Sequence, residues 1–165
     1  MNAFRNRGFR VANSSPEVKA AYTGFLLFAL LGYVTFVFIG LLRVGPGYQD
    51  IVTHYRGSEL DQAEAFPMTL SQLLEDAHAH AFIEGLILLV LTHLFVATSV
   101  KLRMKVGLIV IAFGSHLADL VLPWLIRYVA AGFAWGQLSA WILMVTSALV
   151  MIAVPLYEMW FMGNR

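Results

Sequence analysis

Four long apolar stretches constrain the fold of this chain of 165 residues more than any other feature. They cover residues 20–42, 77–100, 106–129 and 138–160. Each has the roughly 20 residues that an α-helix needs to cross the hydrocarbon core of a bilayer. With 59% hydrophobic and 13% charged residues, the chain is too apolar for a soluble domain. The sequence therefore predicts one all-α integral membrane domain, a bundle of four transmembrane helices with one long link, residues 43–76.

Polar signals mark where two of these helices begin. Segment 14–17, a pair of serines followed by proline and an acid, is typical of a helix start. The first apolar stretch is too long for a signal-peptide core and lacks a small-residue cleavage site, so we expect it to remain as a span. Thr69 and Gln72 form a capping-box pattern, which predicts that the second helix starts near Leu70. Pro155 is expected to bend the end of the fourth helix.

Positive charge predicts the orientation. The amino-terminal segment, link 101–105 and the last residue hold eight of the eleven Lys and Arg. The other three, Arg43, Arg56 and Arg127, lie on the opposite side. The positive-inside rule therefore places both termini in the cytoplasm and residues 43–76 outside it. We expect a multi-pass protein of the bacterial inner membrane, in contact with lipid and other membrane subunits, with no nucleic acid partner.

The second apolar stretch carries an unusual concentration of ionisable side chains. These are His78, His80, Glu84 and His93. Ionisable residues are costly in hydrocarbon, normally face the bundle interior and often mark a functional site. The third stretch offers two partners, His116 and Asp119.

The first hypothesis is a haem b site formed by His93 and His116. If the second and third helices form an antiparallel hairpin about Arg103, His116 lies about 4.5 Å deeper than the residue opposite His93. Two neutral imidazoles on facing helices can ligate haem b without a thiolate. The chain has no cysteine, which excludes iron–sulfur clusters and covalently attached haem. Arg127 is a candidate partner for the haem propionates.

Histidine spacing adds a family resemblance. His80 and His93 are 13 residues apart on one predicted helix, which resembles the paired histidines of di-haem cytochrome b bundles. His78 is better aligned with His93 around the helix than His80 is. The resemblance implies a haem-binding subunit for electron transfer in a respiratory or photosynthetic complex. For such a subunit we expect a periplasmic cytochrome c or a quinone as redox partner.

Several short motifs resemble those of small four-span bacterial membrane proteins of unassigned function. The matching segments are 55–57, 73–80, 92–95, 119–128 and 155–160. This second resemblance supports the four-span topology and implies no particular activity.

A second hypothesis is a non-haem metal site formed by His80, Glu84 and Asp119. His80 and Glu84 are four residues apart and share a helix face. Asp119 lies at a similar depth on the facing helix. Imidazole and carboxylate ligands suit iron, copper or zinc. A hydrogen-bonded pair that shares a proton, or carboxylates that orient a histidine, would explain the same pattern without a metal.

A third hypothesis is a structural or assembly subunit, in which the histidines are polar contacts between spans. The sequence shows no substrate pocket with a nucleophile, no Gly-rich phosphate loop and no proton-pumping row of acids. We therefore expect an accessory or electron-transfer role rather than an independent enzyme. The outer segment 43–76 carries six acids against two basic residues. Its acids include Glu59, Asp61 and Glu64, which would suit docking of a basic electron carrier or simple solvation.

Overall fold

A computed structural model of the chain describes residues 9–58 and 65–162. Within these residues every regular element is helical. The α-helices are α1 Pro16–Arg43, α2 Tyr48–Arg56, α3 Leu70–Val96, α4 Leu102–Tyr128 and α5 Ala134–Phe161. All except α2 are long and apolar enough to cross a membrane. The predicted all-α, four-span fold is confirmed, and the protein is a multi-pass membrane protein. The start of α1 and the end of α5 lie at the same end of the bundle, where Trp160 donates to Thr23.

The predicted helix starts are confirmed, and one predicted end is wrong. Pro16 is the first residue of α1. Thr69 accepts a hydrogen bond from the Gln72 backbone, and the Gln72 side chain accepts one from the Thr69 N–H at 2.8 Å. The second span was expected to reach residue 100, but α3 ends at Val96. Residues 97–101 form the turn between α3 and α4, and residues 102–105 of the predicted link already belong to α4.

Segment 43–76, expected to be a loop, contains the short helix α2. Gly45 has φ +100, a conformation that favours glycine. The Gly47 N–H then donates to Asp50 in the first turn of α2. Ile51 and Tyr55 are buried beneath α2 in a cluster with Leu73 of α3, Ile126 of α4 and Ala134 of α5. The described part of this segment is therefore a packed cap on the bundle. Glu59, Asp61 and Glu64 lie outside the described residues.

The fifth helix is the centre of the bundle. It packs against α1, α3 and α4, and its contact with α4 is the most extensive. Small buried residues on α5, among them Ala140, Ser147 and Ala148, let the neighbouring backbones approach closely. By contrast, α1 packs mainly against α5. This arrangement leaves a cleft between α1 and α3 in the half of the bundle next to α2.

Candidate metal centre

Three ionisable side chains meet between α3 and α4. His80 and Glu84 are one turn apart on α3, and His80 Nδ1 lies 2.8 Å from Glu84 Oε1. The same nitrogen lies 3.9 Å from Asp119 Oδ2 on α4. One ligand atom from each residue lies within 4.8 Å of the other two. The structure thus brings together the trio of the metal hypothesis, while metal binding itself stays a prediction.

Two residues of α5 fix the position of Asp119. Trp141 Nε1 donates to Asp119 Oδ1 at 2.7 Å. Gln137 Nε2 donates to the same oxygen. Gln137 and Trp141 are four residues apart and therefore share one face of α5. They hold Oδ1 and leave Oδ2 directed toward His80. Sequence reasoning missed both, although a glutamine one turn before a tryptophan in an apolar span is a recognisable signal.

Glu84 is only partly satisfied. Its Oε1 contacts His80, but its Oε2 is buried without a hydrogen-bond partner among the described residues. Burying a carboxylate oxygen without a partner is costly, and more so in hydrocarbon. Within residues 9–58 and 65–162, no lysine or arginine forms a salt bridge with Glu84 or Asp119. The site therefore has room for further positive charge.

The distances between the three candidate ligand atoms are close to those found around a bound metal ion. Nitrogen and oxygen ligands lie about 2.1 Å from zinc, so two ligand atoms on one ion are at most about 4.2 Å apart. The observed limit of 4.8 Å is about 0.6 Å longer, a difference that small side-chain rotations can remove. The side chain of His80 is 37% exposed and that of Asp119 is 10% exposed. The centre is thus accessible from one side, the side of His80.

That open side is the cleft between α1 and α3. The cleft has a volume of about 1150 Å³, and both His80 and Asp119 line it. Phe36 of α1 approaches His80 edge to face, with 6.4 Å between the ring centroids. Trp141, which holds Asp119, also lines the cleft. A ligand in the cleft would therefore reach two of the three candidate metal ligands.

His116 lies in a different environment from the trio. It is buried, and its Nδ1 lies 2.7 Å from the carbonyl oxygen of Ala112. Because a carbonyl only accepts, Nδ1 carries the proton and Nε2 of the neutral ring is an acceptor. The Tyr33 hydroxyl, 3.1 Å from Nε2, donates to it. Tyr33 of α1 was not singled out from the sequence, since nothing local links it to a residue 83 positions later.

The haem pair is not brought together. His93 is exposed on α3, whereas His116 is buried among helices. No hydrogen bond, ion pair or ring contact joins these two described residues. Equal depth was the basis for pairing them, but depth does not fix the direction in which a side chain leaves its helix. Haem ligation by His93 and His116 stays a prediction.

The remaining candidates lie at the periphery. His78 is exposed on α3 and contacts Phe82. Arg127 donates to the Met68 carbonyl at 3.1 Å, which ties the outer segment to α4. His54 of α2 is half-buried and lines the cleft. Burial lowers the pKa of His54, because the charged imidazolium loses solvation there.

Most of the chain matches a known protein family. Residues 45–165 match a family described as a transmembrane helical domain. The match includes His80, Glu84 and Asp119. No curated protein and no solved structure matches the chain.

Proposed function

The chain belongs to the family of transmembrane helical domains, and from this membrane setting we propose that it binds a divalent transition metal ion through His80, Glu84 and Asp119. The observation that carries the proposal is their convergence within 4.8 Å inside the bundle. The unpartnered Glu84 Oε2 supports it, since an ion would supply the partner that this oxygen lacks. The fixed orientation of Asp119 supports it as well.

Charge balance favours an ion of charge +2. Two carboxylates close together in a low-dielectric site repel each other, and one imidazole, even when protonated, compensates for only one of them. A dication neutralises both. One imidazole and two carboxylates form a ligand set suited to iron(II) or zinc, whereas copper(I) prefers softer ligands. Three protein ligands leave coordination positions open, as in catalytic rather than structural sites.

Elemental analysis of the purified protein tests this proposal. We expect about one equivalent of iron or zinc, lost in Glu84→Gln and in Asp119→Asn because each variant removes one anionic ligand. The matched control is His78→Ala against His80→Ala, two histidines two positions apart on α3, of which only His80 belongs to the trio. Metal retained in His80→Ala, or metal at background in the wild-type protein, would reject the site.

Haem b ligation is a second candidate, and the tautomer of His116 favours it. A ligating histidine typically donates its other N–H to a carbonyl, as His116 Nδ1 does to Ala112. Iron would have to displace Tyr33 from Nε2. A reduced-minus-oxidised visible spectrum separates the two candidates, because the trio alone gives no haem bands. A haem spectrum lost in His116→Ala would support this second function.

The charge bias supports the bacterial inner membrane as the location, with both termini in the cytoplasm. The exposed His93 supports contact with a further membrane subunit, since a polar side chain on the outside of a span is costly in lipid. An electron-transfer role with a cytochrome c would follow only if the haem spectrum is found.

A further inference from the structure

Four polar side chains follow one another along α3 at intervals of four residues. They are Gln72, Asp76, His80 and Glu84. Residues four apart are neighbours on a helix surface, so these side chains form a polar stripe about 18 Å long. Exposure falls along the stripe: Gln72 and Asp76 are exposed, His80 is 37% exposed and Glu84 is 17% exposed. The stripe therefore leads from the surface of the bundle to the trio of the metal hypothesis.

The cleft between α1 and α3 contains most of this stripe. Gln72, Asp76 and His80 line it, as does Asp119 of α4. Glu84, one turn further along α3, contacts His80 Nδ1 at 2.8 Å. A small polar solute that enters the cleft along α3 therefore meets a polar side chain at successive helical turns until it reaches all three members of the trio.

The charges that line the cleft favour a cation. Apart from Tyr55, its ionisable side chains are three carboxylates, one guanidinium and two imidazoles: Glu75, Asp76, Asp119, Arg43, His54 and His80. Burial lowers the pKa of His54, so this imidazole adds no positive charge at pH 7. Even with His80 protonated, the carboxylates outnumber the positive groups. Negative charge in a cleft with apolar walls raises the local concentration of cations.

A metal ion needs such a route to reach the trio. His80 is ten residues after the start of α3, about 15 Å along the helix axis. A hydrated dication cannot cross that distance through hydrocarbon without losing its solvation. Asp76 lies one turn before His80, about 6 Å along the axis, and a carboxylate oxygen is a ligand that divalent ions accept. Asp76 can therefore hold an ion on its way to His80.

Arg43 opposes the attraction of Asp76 for a cation. Both residues line the cleft, and both act electrostatically on His54. They are therefore close to the same end of the cleft, the end next to α2. An ion that enters there is attracted by one side chain and repelled by the other, which gives the route a test of opposite signs.

We propose that this cleft is the entry route of a divalent metal ion to the trio, with Asp76 as a carboxylate that the ion passes. The proposal deepens the proposed function and rests on it, since the ion is the one that His80, Glu84 and Asp119 bind. A residue that only narrows a route changes the rates of entry and exit by the same factor and leaves the Kd unchanged. A ligand residue changes the Kd.

The rate of Zn²⁺ loading tests the route. The full chain in lipid nanodiscs is mixed with Zn²⁺ and a fluorescent zinc indicator in a stopped-flow instrument, and release into a chelator gives the exit rate. Ala77 lines the cleft, whereas Ala79 is exposed and is not part of the described lining. Ala77→Trp should slow entry and exit by about tenfold or more, and Ala79→Trp should change neither. Equal rates in the two folded variants would overturn the route and leave the cleft to lipid.

Two charge substitutions keep the test decisive if Ala77→Trp does not fold. Asp76→Asn should slow Zn²⁺ entry by about threefold or more at low ionic strength, and Arg43→Gln should accelerate it. Both effects should shrink as salt shortens the Debye length from about 10 Å at 0.1 M to about 3 Å at 1 M. Entry rates that stay the same, or that change in the same direction in both variants, would overturn the proposal.

The final Zn²⁺ content of the same samples separates this proposal from the metal site. About one equivalent of Zn²⁺, loaded at the wild-type rate in every folded variant, would reject the route and leave the metal site intact. No Zn²⁺ in the wild-type protein would reject the metal site and the route with it. A faster release from Asp76→Asn would make Asp76 a ligand of the bound ion and overturn its role on the route.

Discussion

Two acids in the spans, Glu158 and Glu84, show how differently this bundle uses buried carboxylates. Glu158, near the C-terminal end of α5, is 4% exposed. The Ser99 N–H lies 2.8 and 2.9 Å from its two oxygens, and the Ser99 hydroxyl donates at 2.6 Å. Glu84 contacts His80 through one oxygen and leaves the other without a partner. A fully paired acid fixes a turn, whereas a partly paired acid next to Asp119 is available to a cation.

The largest loss of unfolding free energy should come from truncating Glu158, the fully paired acid. Glu158→Ala leaves the Ser99 N–H without its acceptor and should lower the free energy of unfolding by about 3 kcal/mol. Glu84→Ala in metal-free protein should lower it by less than about 1 kcal/mol, because that carboxylate is poorly paired. Unfolding in detergent micelles, followed by circular dichroism, measures both. Equal losses would show that the two acids have the same structural role.

Added metal should affect the stability of the Glu84 and Glu158 variants differently. An ion that binds only the folded state stabilises it by about 2.7 kcal/mol at a concentration 100 times its Kd. We expect Zn²⁺ to raise the unfolding free energy of the wild-type protein and of Glu158→Gln, but not of Glu84→Gln. Titration with zinc and reversal by a chelator provide the measurement. A full response in Glu84→Gln would place the ion elsewhere.

A smaller loss of unfolding free energy is expected when the hydrogen bond between Tyr33 of α1 and His116 of α4 is removed. Tyr33→Phe removes the only donor to His116 Nε2 among the described contacts and should cost about 1.5 kcal/mol of unfolding free energy. The control is Tyr157→Phe, since Tyr157 is exposed and stacks on Phe161. Its loss should stay below about 0.5 kcal/mol. If both variants unfold alike, the Tyr33 contact does not stabilise the bundle.

The smallest expected effect is on the pH dependence of stability, through His54 of α2 in the cap. Burial lowers its pKa below the ordinary 6.5, while Asp76 opposes and Arg43 reinforces this shift. The unfolded chain therefore binds a proton that the folded chain does not, and stability rises as pH increases toward 6.5 and levels off above it. His54→Asn should reduce this slope in unfolding measurements between about pH 5.5 and about pH 7.5, one unit on either side of the ordinary value. An unchanged slope would assign the pH dependence to other groups.

The sequence predicted the positions of the helices better than the contacts between residues of different helices. Thr69 and Gln72 define a helix start locally, and the spacing of His80 and Glu84 fixes their common face, so both were predictable. The rotation of α3 relative to α4 was not, because equal depth says nothing about rotation. His93 therefore faces outward while His116 faces Tyr33.

Residues from distant helices completed the site in ways that no local pattern specifies. Asp119 is held by Gln137 and Trp141, which belong to a helix that is not its hairpin partner in the sequence argument. The helix α2 was missed because the residues that cover Ile51 and Tyr55 come from α4 and α5. In each case packing between helices, rather than periodicity within one, determined the outcome.

X-ray absorption at the metal edge of purified protein tests the central claim most directly. The account predicts a first coordination shell of nitrogen and oxygen at about 2.1 Å with a single imidazole, and loss of that signal in Asp119→Asn. A shell with two or more imidazoles that persists in Asp119→Asn would contradict it, since such a site cannot be formed by His80, Glu84 and Asp119.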